Sequence, residues 1–114
     1  PHLPVVYGLQ LPTLKLKQRL VSPAARAVLR CLKAVERLRA EGKSVALRRI
    51  AVSPEGILQV RWEDGLLVRL GAPWDLEEKL DMVLKIRQVL RPPQGIEYID
   101  VSALEVPVWK PQEG

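Results

Sequence analysis

Very few residues of this sequence combine the types and spacing that catalysis requires. The one histidine, His2, sits beside the chain terminus, a poor place to hold a general base or a metal ligand in fixed geometry. No Ser-His-Asp or Cys-His arrangement can be built around it. The one cysteine, Cys31, has no partner for an internal disulfide. It recurs with Ala24, Val28, Leu32, Val35 and Leu38 at helical spacing, so it reads as a buried structural thiol and not as a nucleophile. Asp75, Glu77, Glu78 and Asp81 gather carboxylates in a short stretch, but they open a helix, where negative charge suits the positive end of the macrodipole. Capping explains them better than a metal does. The glycines are scattered among turns and form no phosphate-cradling loop. No catalytic, cofactor-binding or metal-binding residue is assigned, and enzymatic activity is not expected.

Binding chemistry has more to work with. Arg26, Arg30, Lys33 and Arg37 line one side of a helix and could follow phosphates, in keeping with a formal net charge of +5. No aromatic residues interleave with the stripe and no nucleic-acid motif surrounds it. Nucleic acid is therefore the second reading, behind a solvated face with Glu36 and Glu41 nearby.

The framework that holds these residues can be read from periodicity. With 114 residues, 47% hydrophobic and 27% charged, the chain fits one globular domain, 1–114, with no Phe and an aliphatic core. No stretch reaches the ~20 apolar residues of a membrane span. Pro1 carries no initiator Met or signal pattern, so the chain reads as a fragment of something longer. Pro1 to Pro12 is a proline-punctuated extended segment, and Thr13 to Leu20 fits either a strand or the approach to a helix. Ser22 as N-cap and Pro23 at the first helical position start a helix that stops near Gly42. Ala46 to Val52, Ile57 to Trp62 and Leu66 to Leu70 read as strands separated by Ser53-Pro54-Glu55-Gly56 and Glu63-Asp64-Gly65 turns. A two-residue Asp-Gly turn would split the apolar rows Leu58, Val60, Trp62 and Leu66, Val68, Leu70 between opposite faces. A three-residue loop with left-handed Gly65 pairs Trp62 with Leu66, Val60 with Val68 and Leu58 with Leu70, and unites them. A second helix is expected from about Asp75 to Arg91, capped by Asp75 with Glu78 and stopped by Pro92-Pro93. Its stripe is Leu76, Leu80, Val83, Leu84 and Leu90, widened by Met82, Ile86 and Val89. Ile96 to Val101 and Leu104 to Trp109 are strand-like around a bend at Ser102-Ala103. Pro107 cannot donate to a ladder, which puts the last strand at a sheet edge. The fold class is α+β, a mainly antiparallel sheet with two helices packed on it and a C-terminal edge strand.

In this order the pieces resemble the carboxy-terminal β domain of the FtsQ/DivIB cell-division family. Leu3-Pro4-Val5-Val6-Tyr7-Gly8 is similar to its Leu-Pro-x-x-x-Gly opening. Asp64-Gly65 with Val68-Arg69-Leu70-Gly71 is similar to its Asp-Gly and Val-x-Leu-Gly hairpin. Lys79-Leu80 and Ile99-Asp100-Val101 stand where a helix and an Ile-Asp-Leu-Arg strand are found, with Ser102 in place of the frequent Arg. The resemblance implies a non-catalytic division (septation) protein, anchored in the cytoplasmic membrane by a single span. This domain would lie on the extracytoplasmic side, after a polypeptide-transport-associated domain. It implies protein partners of the FtsB/DivIC and FtsL type in the divisome, no small-molecule substrate and no cofactor. A partner strand would add to the last strand pair, with contacts at Ala103, Leu104, Glu105, Val106, Pro107, Val108 and Trp109. Trp109 is the expected anchor, set against the alternative that it covers the domain's own core.

Overall fold

The computed structural model describes residues 5–7, 22–90 and 95–112. The stretch from Thr13 to Leu20, His2 and the Pro92-Pro93 stop lie outside them. In chain order the elements are β1 (Val5–Tyr7), α1 (Pro23–Ala40), β2 (Leu47–Val52), β3 (Leu58–Trp62), β4 (Leu67–Gly71), α2 (Leu76–Val89), β5 (Ile96–Asp100) and β6 (Val108–Pro111).

The strands form one sheet in the order β1-β2-β3-β4-β5-β6. Neighbours pair antiparallel at β2–β3, β3–β4 and β5–β6, and parallel at β1–β2 and β4–β5. A parallel pair cannot be joined by a tight turn, and here α1 links β1 to β2 and α2 links β4 to β5. The fold is α+β with a mainly antiparallel sheet and its C-terminal strand at the edge.

α1 begins and ends on the expected signals. The Ser22 hydroxyl accepts the Ala25 N–H at 3.1 Å, Pro23 occupies the first turn, and beyond Ala40 a left-handed Gly42 (φ 84°) lets Lys43 N–H reach back to the Leu38 carbonyl at 3.0 Å. Ala24, Val28, Cys31, Val35 and Leu38 are buried as their spacing predicts, joined by Ala25, Ala27 and Ala34. α2 keeps its stripe but not its cap. Asp75 takes a left-handed conformation (φ 56°, ψ 37°) and its side chain makes no capping bond, so the Asp75–Glu78 capping box is not formed. Leu76, Leu80 and Val83 are buried, whereas Val89, at the helix end, is 80% exposed.

The β3–β4 hairpin has the three-residue loop. Trp62 N–H donates to the Leu66 carbonyl at 2.8 Å, Gly65 stands at φ 97°, and Val60 faces Val68. Leu58, Val60, Trp62, Leu66, Val68 and Leu70 are all buried on one face. One pairing differs: a bulge between Leu58 and Gln59 sets Leu58 opposite Gly71, not Leu70. Ile50, Val60, Val68 and Ile99, registered across four strands, form a row on the helix-covered face with at most 1% exposure. Each such side chain contributes about 1.5–3 kcal/mol. The opposite face, with Arg49, Gln59 and Arg69 exposed and Leu67 and Tyr98 half-buried, is covered by none of the described elements.

Candidate functional site

The strand expected over Leu104 to Trp109 does not form directly after β5. The Asp100 carboxylate accepts the Ser102 N–H at 2.9 Å and the Ser102 hydroxyl at 2.6 Å, which turns the chain out of the sheet. Val106 N–H then closes a second turn on the Ala103 carbonyl at 3.1 Å. Ala103, Leu104 and Glu105 therefore belong to the connection, and the strand resumes only at Val108. Pro107 immediately precedes β6 instead of interrupting it. The turn also leans on the sheet: at Gly71 (φ 72°), any Cβ would stand 2.6 Å from the Ser102 Cβ. Glycine is required there both for its backbone and for that approach.

The direction of the backbone groups on β6 can be read from both of its neighbours. Val101 N–H donates to the Arg69 carbonyl of β4 at 3.0 Å, so Ile99, two residues earlier, also turns its N–H toward β4, while Asp100 and Tyr98 face β6. From the other side, Gln112 N–H donates to the Gly95 carbonyl at 3.0 Å, which by alternation turns Lys110 and Val108 inward. Both routes make Ile99 and Trp109 a non-hydrogen-bonded pair. The N–H and C=O of Trp109 point away from β5, and no described strand lies beyond them.

The same pairing fixes the side chains. Residues directly opposite share a face, so Trp109 stands beside Ile99 at the outer end of the buried row. It is 37% exposed. Val108 lies on the other face, across from Asp100, and is 47% exposed. Val106, in the turn, is 67% exposed. Of the expected contact residues, only Val108 and Trp109 stand on the edge strand. Lys110, paired with Glu97 at 3.2 Å, and Pro111 complete it. Neither was among the expected contacts. The signal for Pro111 was available, since a proline whose nitrogen faces away from the sheet leaves the ladder intact.

The family model described as cell division protein FtsQ/DivIB, C-terminal, matches residues 1–102. The chain belongs to this family. FtsQ/DivIB proteins are non-catalytic, membrane-anchored cell-division proteins. No curated protein matches the chain. The FtsQ/DivIB match takes in β1 to β5 and ends at Ser102, so β6 and the turn before it lie beyond the matched stretch. Among the described residues, no helix is long and apolar enough to cross a membrane, and no group of His, Cys, Asp and Glu could hold a metal.

Several of the remaining charged candidates of the FtsQ/DivIB domain are tied into its own structure. In the basic stripe, Arg30 stacks on Trp74 at 4.7 Å and Arg37 pairs with Glu77 at 3.1 Å, across a shallow groove that Glu78 also lines. Arg37 of the stripe thus meets a carboxylate of α2 within the same molecule. Asp81 bonds Lys43 at 2.9 Å and lies 3.3 Å from Lys85; the Lys43 hydrogen bond holds its carboxyl below the usual range. Arg87 pairs with Asp64, pinning the end of α2 to the β3–β4 turn. Lys79 is buried at 4% exposure with its ammonium donating to the Ala72 carbonyl at 2.9 Å, and burial lowers its pKa. Its position between Leu76 and Leu80 is the one cue to burial that the sequence contained. Cys31 is fully buried and burial pushes its thiol up to about 12, which keeps it protonated and unreactive at neutral pH.

Proposed function

We propose that this chain, residues 1–114, is the extracytoplasmic C-terminal domain of a single-span division protein. In this reading it holds FtsB/DivIC- and FtsL-type partners in the divisome by accepting a partner strand at β6. One observation carries the reading: Trp109 turns both backbone groups outward on the terminal strand of the sheet. An added strand would take main-chain hydrogen bonds from that edge and draw specificity from side chains alongside it. Val106, Val108 and Trp109 supply exposed apolar surface there. In this reading Trp109 and the carbonyls beside it form the ladder, Val106, Pro107 and Val108 make side-chain contacts, and Ala103, Leu104 and Glu105 border the site. The end-of-row position of Trp109 supports a double role, with the partner completing the cover that the domain leaves unfinished.

Amide exchange followed by NMR, with and without a recombinant FtsB/DivIC-type ectodomain, tests this. The Trp109 amide should exchange quickly in the free chain and slow by at least about tenfold in the complex, while the Val60 and Val68 amides stay slow in both. A complex that forms without slowing Trp109 would place the partner elsewhere.

A further inference from the structure

An edge with no described neighbour raises the question of whether one copy of the domain can pair with another. The prolines around Trp109 answer it. Pro111 is the next residue of β6 whose backbone points outward, because Gln112 and Lys110 point inward. Pro107 immediately precedes the strand on the other side. Neither has an N–H. Around the outward Trp109 the edge therefore offers carbonyls freely but has a single donor, the Trp109 N–H.

We propose that Pro107 and Pro111 make this edge accept a foreign, proline-free strand while refusing a second copy of itself. This rests on the strand-addition reading above. Consider two β6 edges brought together antiparallel about a twofold axis at Trp109. The two Trp109 residues exchange bonds, but the next outward positions set Pro107 of one copy against Pro111 of the other, carbonyl facing carbonyl with no donor between them. Such a ladder cannot extend, and its buried carbonyls go unsatisfied. A foreign strand with an N–H at every second residue has no such defect. Its amides donate to the carbonyl of Trp109 and to those of the prolines, and one of its carbonyls accepts the Trp109 N–H. The fitting partner is thus an extended segment free of proline at alternate positions, with an apolar side chain to meet Trp109 on the helix-covered face.

The experiment compares the wild-type chain with Pro107→Val/Pro111→Val by sedimentation velocity over a matched concentration series, with circular dichroism to check folding. Wild type should remain monomeric, and the double variant should dimerise at least about tenfold more tightly, because restored donors complete the self-ladder. Pro111→Val alone leaves the turn at 102–107 untouched and should move the same way by a smaller factor. Unchanged self-association in both variants, or a wild type that dimerises through β6, overturns the proposal. The FtsB/DivIC-type ectodomain supplies the second arm. Binding that slows the Trp109 amide in a chain whose proline variants stay monomeric leaves the docking reading standing and removes the self-exclusion. Binding that leaves the Trp109 amide fast removes the docking reading, and with it the foreign strand as the edge's occupant.

Discussion

The hairpins β3–β4 and β5–β6 belong to one sheet and use their side chains in opposite ways. In the first, every apolar residue of the inward rows is sealed, from Leu58 to Leu70, and a compact Glu63-Asp64-Gly65 turn leaves no slack. In the second, Ile99 and Val101 are sealed, Trp109 is partly open, and residues 102–107 make a broad connection. Val68 and Val108 put the contrast in one residue type, at 0% and 47% exposure. What separates them is neighbours. β4 has a strand on either side and a helix across its inner face, while β6 has one strand and, among the described residues, none on its other flank. The interior ribbon supplies stability, and the edge ribbon leaves apolar side chains and outward backbone groups uncovered by the described residues.

Substitutions of matched type test that division. Leu70→Ala, in the sealed ribbon, should cost about 2–5 kcal/mol in denaturant unfolding, the largest effect expected. Gly71→Ala should cost about 2–4 kcal/mol, combining a left-handed backbone with the close approach to Ser102. Gly65→Ala, where a Cβ meets nothing within 4 Å, should lose only about 1–2 kcal/mol. Equal losses at the two glycines would mean that the turn after β5 yields easily and does not brace the edge. Trp109→Ala should cost about 1–2 kcal/mol, since only part of the ring is covered, while weakening partner binding by more than its effect on folding accounts for. A loss near 4 kcal/mol with unchanged affinity would assign Trp109 to the core alone. Val68→Thr should cost about 1–3 kcal/mol for burying a hydroxyl, and Val108→Thr should stay within about 0.5 kcal/mol. If the Val108 variant matched the Val68 variant, the edge would be buried in solution and the comparison would collapse.

The interior ribbon was legible because its constraints are local. Alternation fixed the face, and Gly65 fixed the loop that brings both rows to that face. α1 was legible for the same reason, with Ser22, Pro23 and Gly42 acting within a turn of the helix ends. The failures came where a distant contact decided. The left-handed Asp75 goes with Lys79 reaching back to Ala72, a bond that no propensity encodes. Leu58 opposite Gly71 reflects a bulge at the sheet's end. At the candidate site the edge position expected for the last strand holds, but Pro107 lies outside that strand, which begins one residue after it because Asp100 and Ser102 bend the chain first. Leu104 and Val106 alternate like strand residues while lying in turns. The parallel pairings made by α1 and α2 depend on packing of whole helices, which no short window of sequence carries.

Twist gives the six-strand order a directional consequence. Adjacent strands rotate by roughly 20–25°, so the steps from β1 to β6 accumulate to about 100–125°. The two margins of the sheet therefore run nearly crosswise to each other. A straight segment aligned along β6 lies athwart β1, so one rod-like visitor cannot zip onto both margins at once. An assembly that used both margins would have to approach the domain along two axes.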